Sequence, residues 1–449
     1  GNGFTLNIGN LTGAGQVYSR GNLVWNDTTL SGLGNLRNES TLTINGSNSH
    51  LFQNSQVGNY GTIYHMGWGD LTFSQGSQFH NISGDYLLYN DASFASSDGT
   101  GTFINNHSLT KAYSTGTSRI ETQLINAGSI QVDTGTLALY GGGTFNGGTI
   151  GVANPSYIKF SQGQYAVNGE LSFGGSGYAN MAGGVVNYAL GAKTSYNLPD
   201  GGLQLNGTGF AGQGALVNTG KATWQAGTFS SGAHLENRGT MTLAGSAAKN
   251  LQGAEFDNTK DVLQVCASGP TLDSTSTINC TNTSSYEFQA DSGIAGTGVI
   301  TNGGVFRKTW TTGESLIQPT FNNQFGSFDI DAGTIKLTGG GTWYDGAAEI
   351  SAGAALTLAG GAYTLNGPFQ AHGSGNANLS GGIINLAAGA QATFGLDLGL
   401  NLSGAMVNGP GALINTGSAY WSAGGFASGA RITNSGTLSL TGTGVKTLR

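Results

Sequence analysis

Two aspartates occupy alternate positions of one short apolar run, Phe328-Asp-Ile-Asp-Ala332. Side chains two residues apart in a strand share a face. Paired carboxylates on one face are what glycosidic-bond cleavage uses, at a separation of about 5 to 10 Å. The other long copy in the chain does not keep the pair: Asp133 aligns with Asp331, but Gln131 stands where Asp329 would be. Asp329 and Asp331 are therefore expected at solvated outward positions. Eliminative cleavage of acidic polysaccharides would need clustered acids holding calcium and an Arg or Lys base. Arg307-Lys308 with Glu314 is the one tempting charged cluster, and it is expected to decorate a face.

Other chemistries fit less well. His50, His65, His80, His107, His234 and His372 do not group in the sequence, and His234 aligns with Arg431. Gly174-Gly-Ser-Gly177 lacks the aspartate and the nine-residue tandem of a calcium β-roll. Gly99-Thr-Gly-Thr-Phe103 is not followed by the Gly-Lys-Ser/Thr of a phosphate loop. No serine sits in Gly-x-Ser-x-Gly between a strand and a helix. The sequence thus offers no catalytic residue, no metal ligand set and no cofactor site. Cys266 and Cys280 are the two cysteines. An intrachain disulfide pinning a protruding loop is expected, with two free thiols as the alternative.

What would position such residues is a repeat. Gly227-Thr-Phe-Ser-Ser-Gly-Ala-His-Leu-Glu-Asn-Arg-Gly-Thr-Met-Thr-Leu-Ala-Gly245 returns as Gly424-Gly-Phe-Ala-Ser-Gly-Ala-Arg-Ile-Thr-Asn-Ser-Gly-Thr-Leu-Ser-Leu-Thr-Gly442, about 197 residues later. A weaker copy follows Val24-Trp25. Within it runs a shorter beat of Asn-x-Gly: Asn59 and Gly61, Asn126 and Gly128, Asn218 and Gly220, Asn237 and Gly239, Asn415 and Gly417, Asn434 and Gly436. Each lies between short alternating segments such as Leu235-Glu-Asn-Arg-Gly-Thr-Met-Thr-Leu243, and period-two alternation marks strands. Asn and Gly tolerate left-handed backbone, so these motifs are expected at sharp corners, with asparagine side chains forming ladders from coil to coil.

The fold expected is all-β: a right-handed parallel β-helix of about 22 coils with ~20 residues each, a rod of roughly 105 Å. It is expected as one continuous solenoid over 1–449, with approximate long units 1–98 (partial), 99–295 and 296–449 (partial). Helix is disfavoured, because the 80 glycines recur every five or six residues and each costs a helix about 1 kcal/mol. Trp25, Trp224 and Trp421 occupy one repeat position, either as core plugs or as a stacking surface for sugars. Tyr113 with Trp310, and Phe145 with Trp343, pose the same choice.

Charged residues are only 9% of the chain, with a net charge of −7, and no basic stripe suggests nucleic acid. No apolar run reaches the ~20 residues that would span a bilayer as a helix. Lys446-Thr-Leu-Arg449 matches Lys249-Asn-Leu251, beyond which the earlier copy continues, so a longer parent chain is expected. Asn-x-Ser/Thr sequons are frequent, among them Asn10, Asn26, Asn38, Asn45, Asn81, Asn206 and Asn401, in a chain so rich in these residues that chance supplies most of them.

The string from Trp224 through Gly245, with Trp421 to Gly442 matching and Trp25 to Gly46 departing at Leu30 and Ser40, resembles repeats of large secreted bacterial exoproteins. These are the filamentous-haemagglutinin-like adhesins and autotransporter passenger domains. The resemblance implies secretion, an extracellular or outer-surface location and a structural or adhesive role as a stalk, adhesin or biofilm-matrix filament. The partners expected are further copies of the chain or host and surface glycans, with no nucleic acid and no membrane insertion. The alternatives are a polysaccharide-cleaving β-helix or phage-type spike, and a non-catalytic carbohydrate-binding surface.

Overall fold

The computed structural model describes residues 4–7, 9–427 and 429–449. The chain divides into two compact units, Gly1–Thr223 and Trp224–Arg449. Each is a right-handed parallel β-helix, and together they hold about 21 turns, with no helix among the described residues.

The strands form where apolar and polar residues alternate. In Thr62–His65 and Thr240–Leu243 every second side chain is buried and the others are half exposed. A strand pairs in parallel with a counterpart about one turn later, so like positions stack. In the first unit Leu42, Ile63, Tyr86, Leu109, Ile130 and Ile150 follow one another in register. In the second, Leu235, Phe256, Ile278, Ile300 and Phe321 do the same. All of these side chains are buried, and each such column removes apolar surface from water at roughly 25 cal/mol per Å². Turn length is not fixed: hydrogen-bonded asparagines in adjacent turns stand 19, 21 or 24 residues apart.

The corners carry the ladders. Asn38, Asn59, Asn81, Asn105 and Asn126 are fully buried. Each Nδ2 donates to the Oδ1 of the next, at 2.8, 2.7, 2.9 and 2.8 Å. The second amide proton goes to a backbone carbonyl, as from Asn81 to Ser108 at 2.8 Å. In the second unit Asn237 donates to Asn258, Asn302 to Asn323 and Asn415 to Asn434. A buried amide is tolerated only when its donors and acceptor are satisfied, and the stacking of like on like satisfies them. Asn38 and Asn81 are therefore closed to glycosylation.

The glycines of the Asn-x-Gly motifs act differently from expectation. Gly61, Gly128, Gly220, Gly417 and Gly436 do not adopt left-handed φ. A Cβ on Gly61 would lie 1.9 Å from the Ser40 carbonyl oxygen, and one on Gly436 2.0 Å from that of Gly417. These glycines are required because backbones of successive turns approach too closely for a side chain.

Two histidines that looked unrelated in the sequence meet in the first unit. His50 and His65 are buried with ring centroids 6.2 Å apart. His65 Nε2 lies 2.9 Å from the Gly69 carbonyl oxygen and Nδ1 lies 3.0 Å from the Tyr86 hydroxyl. A neutral ring fits both, donating to Gly69 and accepting from Tyr86. Burial pushes the His65 imidazole down to about 4 from an ordinary 6.5, opposed by the Gly69 carbonyl and reinforced by His50. The unfolded chain therefore binds a proton that the folded chain refuses. Stability is complete above pH 6.5 and falls as the pH drops towards 4, by about 3 kcal/mol in all. Urea unfolding at pH 7.5 and 4.5 should show this loss, and His65→Gln should abolish most of the difference.

Candidate functional site

The outward faces hold the residues with chemical potential. In the second unit Glu287, Arg307, Asp329, Glu349 and His372 fall in one lateral column, each opposite the next in the adjoining turn. Strand alternation sends them outward while Phe306, Phe328 and Ile330 go to the core. Arg307 Nε donates to Asp329 Oδ2 at 2.9 Å. Glu287 Oε1 accepts from Thr309 Oγ1 at 2.6 Å and from Gln289 Nε2 at 3.0 Å. Asp331 accepts from Ser351 Oγ at 3.1 Å.

Trp310 stands beside this column, 72% exposed. With Glu287, Arg307, Thr309, Asp329 and Asp331 it lines an open groove of about 500 Å³. Among the described residues no aromatic ring stacks on it. In the first unit Tyr113 is equally exposed, but it packs face to face on Tyr89 at 4.5 Å, and Tyr89 in turn meets Tyr64 edge-on. The sequence pairs Tyr113 with Trp310, yet of the two only Tyr113 has a face covered by another ring among the described residues.

The cluster that looked most like a base with acids is dispersed. Arg307 faces the groove, whereas Lys308, the next residue, points inward with no exposed side-chain surface. Its Nζ donates to Asp291, Thr311 and Ser315. Glu314 pairs instead with Lys336 at 3.2 Å. Asp329 and Asp331 do share the groove, and each accepts a hydrogen bond from a different turn. The first unit repeats the inward lysine: Lys111 reaches Asp91 at 2.8 Å.

Trp25 and Trp224 are completely buried and Trp421 is 5% exposed, so none offers a face to a sugar. Phe145 and Trp343 are core residues as well. Asn218, Asn237 and Asn415 are buried at corners with Gly220 and Gly417 packed against the preceding turn, and Asn434 and Gly436 sit at a corner nearer the surface.

The expected disulfide is absent. Cys266 and Cys280 are free and buried, Cys280 as the last residue of the strand Thr277–Cys280 and Cys266 two residues beyond the strand Asp261–Gln264. Cys280 takes the place of an asparagine in the corner column, opposite Asn258 on one side and Asn302 on the other. Its side chain is served by Asn258 and Ser284, and burial pushes the thiol up to about 12. Cys266 Sγ donates to the Ser268 carbonyl at 3.0 Å. Each sulfur has its own polar partners.

No family model and no curated protein matches the chain.

Proposed function

We propose that the chain is an extracellular structural and adhesive β-solenoid segment of a stalk, adhesin or matrix filament, without catalytic activity. The observation supporting this reading is the fate of the acids. A polysaccharide-cleaving enzyme would leave a pair of them free to act on one bond, whereas here Asp329 and Asp331, though they share a groove, are engaged by Arg307 and Ser351, and Glu314 is taken by Lys336. The interior is committed to apolar columns and asparagine ladders, and the outward faces present weakly charged polar side chains that suit adhesion or self-association.

A second reading, glycan binding without cleavage, is favoured by Trp310. An exposed indole offers a flat apolar face to a sugar ring, and the polar groups beside it suit hydroxyls. The test uses a panel of acidic and neutral polysaccharides, measuring both retention and product release. The expected result is retention without turnover, weakened about tenfold in Trp310→Ala, the loss of roughly 1.4 kcal/mol. Turnover that disappears in Asp329→Asn or Asp331→Asn would replace the scaffold by an enzyme.

A further inference from the structure

A second polar cluster lies on the outward face of the second unit, made by three successive turns. His234 is opposite Glu255, and Glu236 is opposite Asp257, which is opposite Asn279. One ring nitrogen of His234, one oxygen of Glu255 and one of Asp257 all lie within 4.8 Å of one another. His234 Nε2 and Asp257 Oδ2 are 2.9 Å apart. The sequence hides the grouping, because its members are separated by about one turn of variable length.

Charge is unbalanced here. Glu236 is neutralised by Arg238. Among the described residues Glu255 has no Lys or Arg partner, and a single imidazolium cannot neutralise both Glu255 and Asp257. The corresponding position in the next copy is Arg431, a permanent cation.

The two carboxylates are also held in place. Asn279 Nδ2 donates to Glu255 Oε1 at 2.7 Å and to Asp257 Oδ1 at 2.8 Å. One amide group therefore orients both carboxylates and leaves one oxygen of each outside its hydrogen bonds. An outer residue that fixes ligating groups in this way commonly accompanies protein metal sites.

We propose that His234, Glu255 and Asp257 form a surface site for a divalent late first-row metal ion of the zinc class, with Asn279 as its positioning residue. One imidazole nitrogen with two carboxylate oxygens suits zinc, nickel or copper, whereas calcium and magnesium favour all-oxygen sets. Ligands about 2.0 to 2.2 Å from a tetrahedral ion lie roughly 3.4 Å from one another. The His234–Asp257 pair needs to open only slightly and Glu255 to move inward, and water completes the coordination. The ion would replace the proton shared by His234 and Asp257 and cross-link two successive turns.

The full chain, freed of metal, is titrated with Zn²⁺ alone by calorimetry, and with Co²⁺ by visible absorption. The expected result is one saturable equivalent of Zn²⁺ in the micromolar range. Its affinity should fall at least tenfold in His234→Ala and in Asp257→Asn, with far-UV circular dichroism unchanged. Asn279→Ala should weaken it about ten- to a hundredfold. Cobalt should give d–d bands without the thiolate charge transfer that Cys266 or Cys280 would produce. No saturable binding, full affinity in either ligand variant, or a thiolate band would overturn the site. Full affinity in Asn279→Ala would overturn the positioning role.

Discussion

Trp224→Ala and Trp25→Ala are each expected to destabilise the surrounding turns by about 3 to 5 kcal/mol, the range for truncating a large buried aromatic. Trp224 is completely buried, with Phe229 at 5.4 Å and Phe256 at 6.5 Å between ring centroids. Trp25 packs edge-on to His50 at 5.5 Å. The two differ at the indole nitrogen. Trp25 Nε1 donates to the Thr28 carbonyl at 2.7 Å, whereas Trp224 Nε1 has no acceptor among the described residues. Trp25→Phe should therefore cost more than Trp224→Phe, because it strands a buried carbonyl while the latter removes an unsatisfied donor. Stability in a stacked array is set by nearest neighbours, so the damage should remain local. Hydrogen exchange should speed up within a few turns of the substitution and stay unchanged elsewhere. Uniform loss of protection over a whole unit would contradict the nearest-neighbour account.

Asp291→Ala is expected to cost about 3 kcal/mol, the low end for breaking a buried ion pair, because water reaches the Asp291 side. Lys308 has no exposed side-chain surface, and its Nζ lies 2.8 Å from Asp291. Lys308, followed by Thr311, holds the Asp291 carboxyl below the usual carboxylate range. Removing the carboxylate leaves a buried ammonium with only the Thr311 and Ser315 hydroxyls. Lys308→Met removes the charge itself and should be near neutral or stabilising. The double variant should then recover most of the loss seen in Asp291→Ala. Urea midpoints of the two single variants and the double variant measure this, and equal destabilisation by both single changes would show that the pair, rather than the stranded charge, carries the energy.

The architecture was legible in the sequence because a solenoid writes its stacking into the chain. Thr240-Met-Thr-Leu243 already specifies which side chains go inward, and the recurrence of asparagine specifies what lies above what. Trp25, Trp224 and Trp421 share a repeat position, but only the structure closes the choice between plug and platform, since burial depends on the turns on either side. Trp310 and Tyr113 show the converse, as aligned aromatics that the fold leaves outside.

Lateral neighbours could not be read from a fixed period. Turns of 19 to 26 residues move the partner of a given residue, and a slip of one position sends a side chain to the opposite face. Arg307 and Lys308 diverge simply because adjacent residues of a strand point to opposite faces. Glu287, Arg307 and Asp329 converge, although about one turn separates each from the next, and His234 joins Glu255 and Asp257 in the same way. Cys266 and Cys280 are close in sequence, yet the bend that holds one and the strand that ends in the other bury each thiol among its own partners. The Asn-x-Gly glycines carry the same lesson: the sequence marked them as corners, but the reason for glycine is the carbonyl of the preceding turn, which local conformation does not reveal. Periodicity and composition determined the solenoid, and the register between turns of unequal length decided which of its residues meet.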